Sequence, residues 1–138
     1  MKRDERKIPF LRFLSAGIIA GGGAALFNNL YNSVYTSVTM FSIPEIINPI
    51  SILFASVIPL VVAAIVFFGL TKYSSKAYLI FAVGTALFSL LSIIGPLGTQ
   101  LPDGRLIPAG FAALTIPMHF IAGLCAVVII PQFAYYKK

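Results

Sequence analysis

Four long apolar runs fill most of the chain, at about residues 10–35, 47–70, 77–95 and 114–136, with only short polar stretches between them. The runs are continuous rather than alternating, which excludes the period-two pattern of a barrel strand and fits helices, the one structure that satisfies every backbone group within a single segment. Each run is close to the roughly 20 residues needed to cross about 30 Å of hydrocarbon. The pattern therefore predicts an all-α, polytopic integral membrane protein: an antiparallel bundle of four transmembrane helices forming a single membrane domain over residues 1–138. Short connections favour antiparallel neighbours, hence an up-down-up-down order. The opening MKRDERK has the character of a signal-peptide n-region, but the apolar run behind it exceeds the usual span of such signals and carries a regular Gly and Ala seam, so it reads as an uncleaved first helix.

Charge orients the bundle. Lys2, Arg3, Arg6, Lys7 and Arg12 precede the first helix, Lys72 and Lys76 lie between the second and third, and Lys137 and Lys138 end the chain, whereas Arg105 alone lies on the other side. The positive-inside rule then places both termini in the cytoplasm of a multi-pass plasma (inner) membrane protein, with outer loops near residues 36–46 and 96–113. The tyrosines agree, with Tyr31 and Tyr35 at outer helix ends and Tyr73, Tyr78, Tyr135 and Tyr136 at inner ones, where amphipathic rings prefer the headgroup level. Membrane lipids are thus the expected partners. The net charge of +6 suits an anionic leaflet and gives no reason to expect nucleic-acid binding.

Small residues mark where helices approach. Gly17, Gly21 and Ala24 share one stripe of the first helix, and Gly17 with Gly21 forms a GxxxG pair, read as packing within the bundle with homodimerisation as the alternative. Ala82, Thr85, Ser89 and Ser92 form a second seam on the third helix, read as packing rather than a polar path. Pro59 falls inside the second helix, where it predicts a kink and leaves the Ala55 carbonyl for a hydroxyl such as Ser56 to repair, whereas Pro117 reads as a helix start. In the last outer loop, Pro-Asp-Gly predicts a turn within residues 99–107, with Asp103 and Arg105 solvated at its tip.

Chemistry-bearing residues are few. No Asp, Glu, Lys or Arg lies centrally in any run, which removes the intramembrane carboxylate of a small multidrug exporter, and His119 alone provides no axial pair for a haem. The charged motifs of glutathione-dependent four-helix membrane enzymes are missing too. Cys125, between Leu124 and Ala126, reads as packing, and no metal or cofactor site is expected. The one polar cluster at membrane depth is Asn28, Asn29 and Asn32 on the first helix with His119 about one turn inside the fourth. Two readings stand: an interhelical hydrogen bond that fixes register, or an outward-facing pocket lined by Asn28, Asn32 and a neutral His119, with Glu45 near its mouth.

ALFSLLSIIGPLG at residues 86–98 and PMHFIAGLCAVVIIPQF at residues 117–133 together resemble a bacterial family of small four-helix membrane proteins, itself a domain of unknown function. The resemblance covers roughly the last 60 residues and implies architecture, with no catalytic or binding residue to carry over. The expectation is a small non-enzymatic integral membrane protein. It acts as an accessory or interaction subunit of a larger membrane partner or homo-oligomer, or binds a lipid-like or small polar ligand; an oligomeric channel or facilitator is the alternative.

Overall fold

A computed structural model of the chain describes residues 9–42 and 44–135. Lys2, Arg3, Arg6, Lys7, Lys137, Lys138 and Tyr136, on which the orientation partly rests, lie outside the described residues. Among the described residues four helices follow one another: α1 (Phe10–Thr39), α2 (Pro49–Tyr73), α3 (Ala77–Ser92) and α4 (Phe111–Tyr135). Three of them, α1, α2 and α4, are long and apolar enough to cross a membrane. At 16 residues, α3 rises only about 24 Å and is shorter than the run 77–95 suggested.

The helix ends differ from the sequence reading for local reasons. α1 continues past Tyr35 to Thr39 because Ser33, Thr36, Ser37 and Thr39 return their hydroxyls to carbonyls of the preceding turn, at 2.7 to 3.0 Å. Those polar side chains thus need no outside partner. It stops at Met40, whose φ of 54° is left-handed. α2 starts at Pro49 because Asn48 caps it: Asn48 Oδ1 accepts from the amides of Ile50 and Ser51, and Ser51 Oγ accepts from the Asn48 amide. α3 stops early because Pro96 has no amide hydrogen to offer the Ser92 carbonyl. Isolated turns carry the chain on, with the Leu97 amide donating to the Ile93 carbonyl.

The start of α4 corrects the reading of Pro117. Gly110, at φ +93°, turns the chain so that the helix begins at Phe111, and Pro117 therefore falls in its second turn. There it deprives the Ala113 carbonyl of a helical donor. The hydroxyl of Tyr31 donates to that carbonyl at 2.9 Å, and Tyr35 donates to the carbonyl of Gly110 at 3.0 Å. These two tyrosines, expected as interfacial anchors, also fasten α1 to the first turn of α4.

The buried stripe of α1 comprises Phe13, Ala16, Gly17, Ala20, Gly21, Ala24, Ala25, Asn28 and Asn32. It packs against α2 and α4, and α3 packs against the same two helices, with no α1–α3 contact among the described residues. Along α1, Gly17 meets Leu60 and Ala64, Gly21 meets Val57, and Asn28 meets Ser56, so the two helices run in opposite senses. Phe13, Phe67, Phe68 and Tyr135 interleave at the end that also carries Arg12 and Lys72, whose ammonium lies 4.2 Å from the Phe68 ring centre. Large apolar side chains such as Leu26, Phe88 and Leu124 stand on the outside, a surface that lipid tolerates and water does not.

Candidate functional site

The helix lengths create the site. α3 reaches α4 where Ser89 and Thr85 lie against Gly123, and Ser89 is buried there. The hydroxyl seam of α3 is accordingly a close packing contact. One turn later α3 ends, and no described α3 residue lines the space between α2 and α4 beyond that point. A cavity of about 300 Å³ occupies it. Ser51, Ile52, Ala55 and Ser56 of α2 form one wall, and Thr115, Met118, His119 and Ala122 of α4 the other. Both sets follow helical spacing of one and three residues, which places each on a single face. Ile46 and Ile47 close the end nearest the loop, and Asn28 of α1 supplies the floor.

Most of the polar atoms in these walls are already engaged. Thr115 donates its hydroxyl to the Phe111 carbonyl at 2.8 Å, and Ser51 donates to Asn48 within the cap at 2.9 Å. Asn28, only 4% exposed, donates its amide nitrogen to Ser56 Oγ at 3.2 Å. Its other end is different: Asn28 Oδ1 is buried without a hydrogen-bond donor. Pro59 adds a second acceptor, because it leaves the carbonyl of Ala55 without its helical donor. His119 is half-buried and makes no hydrogen bond among the described residues. Among the described residues the cavity is therefore apolar over most of its wall and free of charged side chains, with Asn28 Oδ1 buried without a partner and His119 able both to donate and to accept.

Of the residues singled out by sequence, Asn28 and His119 share the cavity. They do so without bonding to one another; the interhelical bond that Asn28 makes goes to Ser56, which therefore serves α1 rather than repairing the backbone opened by Pro59. Asn29 is turned away, its amide donating to the Ala25 carbonyl at 2.9 Å. Asn32 lies one turn beyond Asn28, buried and with an unpaired Oδ1, but outside the cavity lining. Glu45 is exposed on the loop, and its neighbours Ile46 and Ile47, not Glu45 itself, reach the cavity. Gly17, Gly21 and Ala24 are buried at the α1 interface, Gly17 and Gly21 directly against α2. Ser51, Thr115, Met118 and Ala122 carry no warning as single residues, although Thr115 and His119, four apart, mark the relevant face of α4.

At the same end of the molecule, residues 99–107 form a small hairpin with a bridge between Gln100 and Leu106. Asp103 Oδ2 accepts from Arg105 Nη2 at 2.7 Å and Nε at 2.9 Å, while the Arg105 amide donates to Oδ1 at 3.0 Å. Hydrogen bonding to Arg105 holds the Asp103 carboxyl below the ordinary carboxylate range, and the same pairing raises Arg105. Both side chains are thus committed to each other within the turn.

No family model, curated protein or solved structure matches this chain. What the protein does is therefore argued from the cavity.

Proposed function

We propose that the chain is a non-enzymatic, multi-pass membrane protein that binds a small amphipathic ligand in the cavity floored by Asn28. In this reading the four helices cross a bacterial inner membrane up and down, with the turns after Ser92 extending α3, both termini in the cytoplasm, and the Asp103 hairpin outside. The observation that carries the ligand reading is that Asn28, a buried carboxamide whose Oδ1 has no donor among the described residues, lines a mostly apolar cavity, because such an atom costs free energy in a purely structural role. Binding is favoured over catalysis by the available groups: one imidazole, no carboxylate, and hydroxyls at Ser51 and Thr115 that are donated to backbone.

The test is the small-molecule content of the purified protein. Protein extracted in a mild detergent is compared with Ala122→Phe, which fills the cavity from α4. One amphiphile per chain in the wild type and none in the variant, at matched thermal stability, supports the reading; equal content in both overturns it. Orientation is tested in a Cys125→Ala background by labelling Asp103→Cys in intact cells with a membrane-impermeant maleimide. Reaction only after the cytoplasmic face is opened overturns the topology.

A further inference from the structure

The chemistry of the cavity narrows its occupant. Asn28 Oδ1 is buried without a donor among the described residues, and Pro59 withholds the helical donor of the Ala55 carbonyl, so a ligand that satisfies Asn28 Oδ1 must donate a hydrogen bond. Among the described residues no Lys, Arg, Asp or Glu stands in the wall, so a charged head would lie buried without a counter-charge. Depth points the same way: Ser56, which holds Asn28, is seven residues into α2 from Pro49, or about 10 Å below its start at 1.5 Å per residue. A phosphate or ammonium drawn that far into hydrocarbon is strongly disfavoured, whereas an uncharged hydroxyl tolerates it when paired.

Size and access identify the remainder of the molecule. About 300 Å³ accommodates on the order of ten non-hydrogen atoms, taking roughly 30 Å³ for each as for a water in the liquid. That is a head and the first carbons of a chain. Ile46, Ile52, Met118 and Ala122 make the wall suitable for those carbons. Because α3 ends before the cavity, the gap between α2 and α4 is not covered by it, and the rest of a chain can leave sideways into the bilayer. We propose that the cavity takes the uncharged, hydrogen-bond-donating head of a neutral lipid, a long-chain alcohol or acylglycerol, which enters between α2 and α4 and donates its hydroxyl to the Asn28 carboxamide. This rests on the ligand-binding reading of the cavity and adds the class of ligand and its route.

The experiment uses three probes that share one 18-carbon chain: oleyl alcohol, which donates and is uncharged; methyl oleate, which only accepts; and oleylamine, which donates but is charged. Each is titrated into the full chain in a neutral detergent, and bound stoichiometry is read by native mass spectrometry. Oleyl alcohol is expected to saturate at one per chain and to bind at least tenfold tighter than the other two. In Asn28→Leu the preference is expected to fall about tenfold, while Ala122→Phe removes saturable binding of all three. Equal affinity for methyl oleate or oleylamine, or an undiminished preference in Asn28→Leu, overturns the assignment of the head while leaving the cavity reading intact. Absence of saturable binding, or binding unchanged in Ala122→Phe, overturns the cavity reading itself. The comparison of probes on the unaltered chain needs no variant to fold.

Discussion

Gly21 and Gly22 are adjacent on α1 and differ in one respect that the structure makes quantitative. A methyl group built on Gly21 lies 2.6 Å from the Cα of Val57, a backbone atom that no rotamer change can move, whereas one built on Gly22 has nothing within 4 Å. Restoring ordinary contact at Gly21 requires α1 and α2 to separate locally by about 0.8 Å, since that contact begins at 3.4 Å. Alanine improves helix propensity equally at both positions, by roughly 0.8 to 1 kcal/mol on soluble scales, so that contribution cancels in the comparison. What remains is the cost of overpacking, typically about 1 to 3 kcal/mol. Gly21→Ala is accordingly expected to be less stable than Gly22→Ala by about 2 kcal/mol, with Gly22→Ala at or above wild type. Reversible unfolding in mixed micelles measures the difference, and size-exclusion chromatography with light scattering reports the assembly. Because Gly21 is buried within one chain, neither variant should change the oligomer size. Equal stabilities refute the close approach of α1 to α2, and an oligomer disrupted only by Gly21→Ala shows that the stripe serves a second chain instead.

Three further outcomes are expected. Tyr31→Phe removes the donor to the Ala113 carbonyl and should cost about 1 kcal/mol, but less in a Pro117→Ala background, where residue 117 supplies its own amide; an unchanged cost in the double-mutant cycle excludes this division of labour. The Asp103 carboxyl is held below its ordinary value of 3.8, so its pairing with Arg105 is present above that pH and is lost as the pH falls through the lower folded value; an Arg105 amide resonance that titrates above 3.8 contradicts the pairing. Asn28→Leu should leave stability within about 1 kcal/mol of wild type or raise it, because it surrenders one interhelical bond averaging about 0.6 kcal/mol and removes an unpaired buried oxygen; a loss above 2 kcal/mol in micelle unfolding marks Asn28 as purely structural.

Much of this architecture is legible in the apolar runs because length and continuity decide a helix in hydrocarbon with little help from tertiary context. The helix ends are another matter, since each depends on one backbone decision: the left-handed Met40, the positive φ of Gly110, the missing amide of Pro96. None of these alters hydropathy, so a reading based on hydropathy misplaces α4 by three residues and turns Pro117 from an interior residue into a start. That Asn28 and His119 could share a cavity follows from their similar heights along α1 and α4, whereas the helix faces, which admit Asn28 and leave out Asn29 and Asn32, do not. Ser56 as the partner of Asn28 does not follow. It requires the rotation of α2 about its axis, which is set by Val57 lying against Gly21, a contact that neither helix announces by itself.

Asn28 is where packing and binding make opposite demands on one side chain. If register were the only requirement, the bond to Ser56 would be served as well by a smaller polar residue, or dispensed with, since Gly17 and Gly21 already lock α1 against α2 through contacts that tolerate no shift. A carboxamide instead keeps two polar ends in an interior where each must be matched, and the protein matches one. The unmatched oxygen belongs to a residue on the floor of the cavity, beside a proline that frees another carbonyl and below the point where α3 stops. Each of these three features weakens the bundle taken singly; a close-packed core would have a longer α3, an α2 without Pro59 and an apolar residue at position 28. Their convergence on one cavity is intelligible if stability lost in the empty bundle is recovered when a donor-bearing ligand enters, and by linkage such a ligand must then raise the stability of the whole chain in proportion to the logarithm of its concentration.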